Sequence, residues 1–430
     1  MTEDCKRFFY CKMTQVQTIK NTGLYLLAAI IPAAISLVVN PFVALNMSPQ
    51  DYAIVGYYNS FTILFTPLIS LYLTHYYSKR YYEYDEASRI KLKSLIFRIF
   101  FVLSPIIVIL IGIGLWCYST YFNKSSTIDF FPYAIIYLLT LYFQCYFTLE
   151  LVDMKMRRKH LSYFKFSLFQ SFLILISTIL LVIICKWGAI GKLSAVLMET
   201  VILFIIVLKR NINIINVHVS PAQIKEALLF CFPLILAAVM GFFTKGYDSI
   251  LLERLGNNTE FAYYSIGLQF SSYLGMITTA IQNAFQSDIY EAVKNNNTHK
   301  VFKILSVFLT VSLVIVVVFC SFAPLIVKIL TYGRYTLAVP YARITSISLI
   351  FSVAYYFLST IIIAKGYTMY TLINKIIVTL FTSISYPLII NKFEYIGGAW
   401  ALSCAYAMGI FIYVIILLYL RYAKNSESRL

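Results

Sequence analysis

Two ionisable residues, Lys245 and Asp248, interrupt the apolar run LLFCFPLILAAVMGFFTKGYDSILLERL, Leu228 to Leu255, ahead of the charged pair Glu253-Arg254 at its end. A charge within a membrane-spanning helix costs roughly 2.5 to 3.5 kcal/mol on insertion scales, so it persists where it faces other protein or a wet cavity. Spaced i, i+3, the pair is expected on one helical face, where the two side chains partly neutralise each other. Two readings stay open: a self-satisfied ion pair near the outer surface, or one wall of a polar path through the bilayer. Further polar residues inside apolar runs are Asn40 beside Pro41, Gln144, Gln170, Glu199, Gln269, Gln282, Asn283, Asn374 and Lys375. A lone Gln or Asn in such a helix is more often interhelical glue, worth about 0.6 kcal/mol, than a ligand contact. Glu199 lies mid-run with Lys192 on the same face one heptad earlier, whereas Lys375 is close enough to the end of its run to snorkel. Glu150, Asp153, Asp288 and Glu291 fall near the ends of runs and are expected to be wetted.

No enzyme chemistry is written in the chain. It has no GxxxxGK[ST] loop, no HExxH and no GxSxG with triad partners in place. The 8 cysteines sit singly, mostly in apolar runs, without a CxxC or a Cys/His set, and the 4 histidines form no relay. Neither a metal nor an organic cofactor is expected.

The elements that position these side chains follow from composition. With 60% hydrophobic and 12% charged residues and a mean hydropathy of +0.79, the chain lies outside the soluble range. It reads as an all-α polytopic membrane protein with no room for a soluble domain. At about 20 residues per crossing, its 430 residues accommodate roughly a dozen spans. The first half offers Gly23 to Phe42, Tyr52 to Tyr77, Leu92 to Tyr118, Phe130 to Val152, Phe164 to Lys186 and Ala189 to Leu208. The second offers Ala227 to Leu252, Phe261 to Gln286, Val301 to Leu330, Val339 to Ala364, Met369 to Ile390 and Ile396 to Leu420.

The net charge of +17 is not a nucleic-acid signature, because the basic residues cluster between apolar runs. In a twelve-span arrangement roughly 25 of the 35 Lys and Arg fall on one side, the cytoplasmic one by the positive-inside rule. Both termini are then cytoplasmic. The weakest outer loop is KILTYGRYTLAVPYAR, where Lys328, Arg334 and Arg343 go against the rule. The segment Met1 to Lys20 is polar and basic and leads into an uncleaved first span.

The halves look like copies. Asp51-Tyr52-Ala53 and Glu260-Phe261-Ala262 open the second and eighth spans, Tyr82-Glu83 matches Tyr290-Glu291, Pro32 matches Pro233, and GAIG at Gly188 matches IGGA at Ile396. Two six-span halves, residues 1–210 and 211–430, must point the same way, related by an axis along the membrane normal, with a binding site expected between them.

The run FPLILAAVMGFFTKGYDSILLERLGNNTEFAYYSIGLQFSSYLGMITTAIQNAFQSDIYEAV, Phe232 to Val293, resembles the seventh and eighth helices of the polysaccharide biosynthesis and export family. DYAIVGYYNSF through SKRYYEYDEASRIKLK and the C-terminal NKFEYIGGAWALSCAYA are similar to that family as well. Its Wzx-type members are O-antigen or capsule repeat-unit flippases of the multidrug/oligosaccharidyl-lipid/polysaccharide exporter superfamily. One departure is Ser249, where relatives often carry Arg or Lys after the aspartate.

The resemblance implies an undecaprenyl-pyrophosphate-linked oligosaccharide as substrate, moved across the bacterial inner membrane by two lobes alternating around a central cationic cavity. It implies membrane lipids as surroundings, a polysaccharide polymerase and a chain-length regulator as partners, and leaves H+ or Na+ coupling open. On that reading Lys245 contacts pyrophosphate or an acidic sugar, helped by Lys375 or Arg343. Asp248 and Glu199 hold those cations or carry a coupling proton, while Asn40 and Gln269 are further substrate contacts. The rivals are a multidrug or cation-coupled exporter of the same superfamily, a lipid II flippase, which typically has two more helices, and a polysaccharide polymerase or glycosyltransferase. The polymerase or glycosyltransferase expects a substantial outer loop, and the outer loops here are short.

Overall fold

The computed structural model describes residues 31, 34–122, 128–215, 220–295 and 297–427, so Met1 to Lys20 and the start of the first span lie outside the described residues. Every regular element among the described residues is helical. In chain order the α-helices are α1 Ala34–Asn46, α2 Pro49–Ser60, α3 Thr62–Ser70, α4 Leu73–Arg80, α5 Glu86–Cys117, α6 Tyr133–Met156 and α7 His160–Thr178. There follow α8 Gly188–Ile215, α9 Pro221–Thr244, α10 Tyr247–Glu253, α11 Asn258–Lys294, α12 Thr298–Leu330, α13 Val339–Ala364 and α14 Thr368–Glu427.

Eight of the described stretches are long and apolar enough to cross a bilayer, and the pair α2 and α3, bent by 44°, makes a ninth. The other three of the twelve expected spans escape a test of length and hydropathy for physical reasons. The stretch Met369–Leu420 counts once at 52 residues, yet Glu394, at φ 49° and ψ −132°, breaks it between the expected eleventh and twelfth spans. The 37-residue α11 is too polar to qualify, and the first span is described only from residue 34 onward.

Two expected spans are not straight helices. The second, Tyr52 to Tyr77, is divided among α2, α3 and α4, with Leu71 and Tyr72 at positive φ between the last two. The seventh is interrupted between α9 and α10.

The chain divides into two compact units. Unit 1 comprises Met1–Asn46, Ile69–Leu110 and Ile135–Cys231. Its core centres on Tyr146 of α6, whose ring lies 5.8 and 5.4 Å from Phe97 and Phe100 of α5 and 4.7 Å from Phe204 of α8. Such ring pairs add about 0.5–1.5 kcal/mol each beyond the area they bury.

Unit 2 comprises Met47–Leu68, Ile111–Ala134 and Phe232–Leu430. Here α11 packs on α2, α12 and α13. Its hydroxyls turn back on their own helix, Ser271 to Leu268 O, Ser272 to Gln269 O and both Thr278 and Thr279 to Gly275 O. These four hydroxyls therefore sit in the helix without unmet donors. Gly267 lets α11 touch α13, since a Cβ there would fall 2.7 Å from Tyr341 Cβ and 2.8 Å from Ala342 N.

The matched glycines of the two halves occupy the same local structure. A Cβ on Gly191 would lie 2.7 Å from Leu181 O and 3.0 Å from Trp187 Cβ; one on Gly397 would lie 2.7 Å from Ile389 O and 3.0 Å from Phe393 Cβ. Each helix folds back on the next so closely that only glycine fits at the crossing.

Candidate functional site

The chemistry of unit 2 gathers where the seventh expected span breaks. Helix α9 ends at Thr244, Gly246 takes φ 118°, and α10 starts at Tyr247. Lys245 and Asp248 therefore do not share one helical face, contrary to their i, i+3 spacing, and no ion pair joins them among the described residues. The reason is that the chain turns between them.

In hydrocarbon every backbone group freed by such a turn needs a partner. The side chains supply them. The Tyr386 hydroxyl donates to Thr244 O at 2.9 Å, and Thr379 Oγ1 donates to Met240 O at 3.3 Å, both from α14. The Gly246 N–H donates to Asp248 Oδ1 at 2.8 Å, while Asp248 Oδ2 accepts a short hydrogen bond from the Tyr264 hydroxyl of α11. Asp248 is buried, with both oxygens engaged, at the first turn of α10, where a carboxylate suits the helix dipole.

Lys245 points elsewhere. It is exposed, and its Nζ lies 5.7 Å from the centroid of the Tyr406 ring. Tyr247 stacks on Tyr386 at 6.3 Å. The result is a cation and aromatic faces beside a helix break at which Thr244 O and the Gly246 N–H have partners.

The other expected site residues are distributed as follows. In unit 2, Gln269 Nε2 donates to the Tyr273 hydroxyl at 3.0 Å on its own helix. Lys375 is half-buried on α14 beside Asn374, whose Nδ2 donates to Gly409 O at 2.8 Å. Arg343 is exposed, and its Nε donates to Cys320 O at 2.9 Å. That carbonyl lies four residues before Pro324, which has no N–H to give it, so Arg343 replaces the missing helical bond. Arg343→Met is expected to cost about 1 kcal/mol in thermal stability in detergent. The cost should vanish in a Pro324→Ala background, where the N–H returns.

In unit 1, Asn40 is buried in α1. Glu199 is 3% exposed in α8; Gln170 of α7 hydrogen-bonds its carboxyl group, and Oε1 has no partner among the described residues.

Unit 1 also holds a network that the sequence misjudged. Glu150 and Asp153, expected to be wetted, are 7% and 4% exposed and share the buried Lys93 of α5, whose Nζ lies 2.7 Å from Glu150 Oε2 and 2.8 Å from Asp153 Oδ2. Asn211 donates to Glu150 at 3.2 Å, and Tyr77 and Arg157 donate to Asp153 at 2.5 and 2.7 Å. Lys93 and its partners lie 57 and 60 residues apart, a separation that carries no local signal.

The chain matches the polysaccharide biosynthesis protein family over residues 18–286. It belongs to that family. Among curated proteins none matches the chain in sequence. Among solved structures, the lipid II flippase MurJ in an inward closed conformation is similar at TM-score 0.66 and 16% identity, over 90% of this chain and 87% of that one. An inward-facing multidrug resistance MATE family transporter of the MOP superfamily is similar at TM-score 0.66 and 16% identity, over 93% and 99%. A MOP superfamily transporter from Pyrococcus furiosus is similar at TM-score 0.63 and 13% identity, over 94% and 95%. The family member thus has the fold of MOP superfamily transporters.

Proposed function

We propose that the chain, a membrane flippase or exporter by family and fold and not an enzyme, translocates an undecaprenyl-pyrophosphate-linked oligosaccharide repeat unit, of O-antigen or capsule, from the cytoplasmic to the outer leaflet. The observation that carries the reading is the family match across residues 18–286, to which the broken helix adds a cation in an otherwise apolar span. A pyrophosphate-sugar headgroup cannot cross hydrocarbon unaided, and a lysine in a partly wetted path offers it charge and hydrogen bonds at once.

In this mechanism residues 1–210 and 211–430 act as two six-helix lobes that rock about the substrate. Lys245 binds the phosphates, with Tyr406 and Tyr247 offering aromatic faces to sugar rings. Asp248 shapes the break that presents Lys245. Lys375, Gln269 and Asn40 are further substrate contacts, and Arg343 is held at Cys320 O, opposite Pro324. Glu199, with one oxygen unmet, is positioned to carry a coupling proton, an Na+ gradient being the alternative. The protein sits in the bacterial inner membrane with both termini cytoplasmic, and works with a polymerase and a chain-length regulator.

Lys245→Ala is expected to lower lipid-linked oligosaccharide flipping in proteoliposomes by about 10- to 100-fold, the loss of one charge-assisted hydrogen bond, with normal membrane insertion. Unchanged flipping would remove Lys245 from the path. The likeness to a multidrug resistance transporter supports a second reading as exporter, for which the wild-type protein would lower cellular drug accumulation and show no oligosaccharide flipping above empty vesicles.

A further inference from the structure

One end of unit 1 contains a pocket of about 670 Å³ formed by α5, α6, α7 and α8. Its size lies in the ordinary range for small-ligand sites, about 300–1,000 Å³. Lys93 from the start of α5, Asp153 from the end of α6, Lys165 from the start of α7 and Arg210 from the end of α8 all line it, so four alternating helices bring their same-side ends together.

The charges in this pocket are divided. The inner wall is the Lys93, Glu150, Asp153 and Arg157 network, in which each carboxylate already has a cation. The outer wall carries Lys159, Lys165 and Arg210, which are exposed and have no carboxylate partner among the described residues. The Arg210 guanidinium lies 5.0 Å over the Phe166 ring, a cation–π contact that fixes its place at the pocket. The exposed Ser162 adds a neutral donor, whereas the Asn211 amide is engaged by Glu150 and Val207 O. The pocket as a whole has five cations against two carboxylates, both already paired with Lys93 and Arg157, and this excess of positive charge suits a phosphate oxyanion.

The face of α7 that leaves the pocket says what carries the phosphate. Ser162 and Lys165 are followed at helical spacing by Phe169, Phe172 and Ile176, exposed by 40%, 51% and 58%. A cationic, hydrogen-bonding end continues into an open apolar stripe along a helix that passes the spanning test. That order matches a lipid, with its headgroup in the pocket and an acyl or prenyl chain along the stripe.

We propose that this pocket binds the phosphate group of an anionic membrane lipid. The proposal concerns unit 1 alone and does not depend on the translocation reading.

The test uses the full-length protein, delipidated in detergent, with cardiolipin, polyprenyl pyrophosphate, phosphatidylethanolamine and inorganic pyrophosphate as separate probes. Binding is read by native mass spectrometry and by the shift in thermal midpoint. The variant is Lys159→Gln/Lys165→Gln/Arg210→Gln, with Lys165→Gln alone as the milder form should the triple variant fail to fold. An anionic lipid should bind the wild type and raise its midpoint. At about a factor of five for each removed surface cation, the triple variant should bind about 100-fold more weakly and the single one about fivefold. Cardiolipin binding would identify a resident phospholipid, and preference for polyprenyl pyrophosphate a lipid of the transported class. If inorganic pyrophosphate reproduces the shift at equal concentration, the carrier is soluble and the lipid assignment falls. Equal binding of phosphatidylethanolamine, or a variant that binds as the wild type does, overturns the site.

Discussion

Lys93→Met is expected to cost about 3 to 5 kcal/mol and to remove most of the folded protein from the membrane. The side chain is 3% exposed, and two buried carboxylates converge on its Nζ at 2.7 and 2.8 Å. Removing the cation leaves Glu150 with the neutral donor Asn211 at 3.2 Å, while Asp153 keeps Arg157 and Tyr77. The penalty is therefore concentrated on Glu150, as an uncompensated buried charge rather than a lost contact. Adding Glu150→Gln to Lys93→Met should recover most of the loss, because the network then has one acid and Arg157 to balance it. Membrane abundance and thermal midpoints of the two variants check this; equal damage in single and double variants would mean that packing, not charge, is at stake.

Gly246→Ala is the second large effect, expected at about 2 to 3 kcal/mol. Gly246 has φ 118°, a conformation that L side chains rarely adopt, and its Cβ would lie 2.5 Å from Ser60 O and 3.1 Å from the Phe242 ring. The backbone carbonyl cannot swing aside as a flexible side chain could, so the break itself must shift. With it would go the Gly246 hydrogen bond to Asp248 and the presentation of Lys245. The thermal midpoint should fall in Gly246→Ala and hold or rise in Gly241→Ala, a helical position in α9 where a Cβ meets nothing within 4 Å. Similar losses at both glycines would show that the break is not specially constrained.

The most telling difference between sequence and structure lies in four residues. Lys245 and Asp248 are legible as unusual from composition alone, because a charge in an apolar run is costly wherever the run folds. Their relation was not legible. Periodicity assumes a continuous helix, and the turn at Gly246 depends on groups brought from elsewhere: Tyr264 to take Asp248, Tyr386 to take Thr244 O and Ser60 to exclude a side chain. Arg343 has the same lesson, since its exception to the positive-inside pattern is matched by a carbonyl orphaned by Pro324 on another helix.

By itself the sequence determined what short-range chemistry determines. An apolar run of about 20 residues must become a helix in a bilayer, because each backbone group has to find its partner within the segment, so the all-α polytopic class and most of the spans could be read directly. The likeness of GAIG at Gly188 to IGGA at Ile396 could be read as well, and the structure pairs Gly191 with Gly397 in one local geometry. Only the tertiary structure decided which charges meet. Lys93 finds Glu150 across 57 residues and Asp153 across 60, and Lys159, Lys165 and Arg210, none paired with a carboxylate among the described residues, line one pocket beside them. Coulomb attraction and desolvation act through space, and the distances on which they depend exist only once the helices have packed.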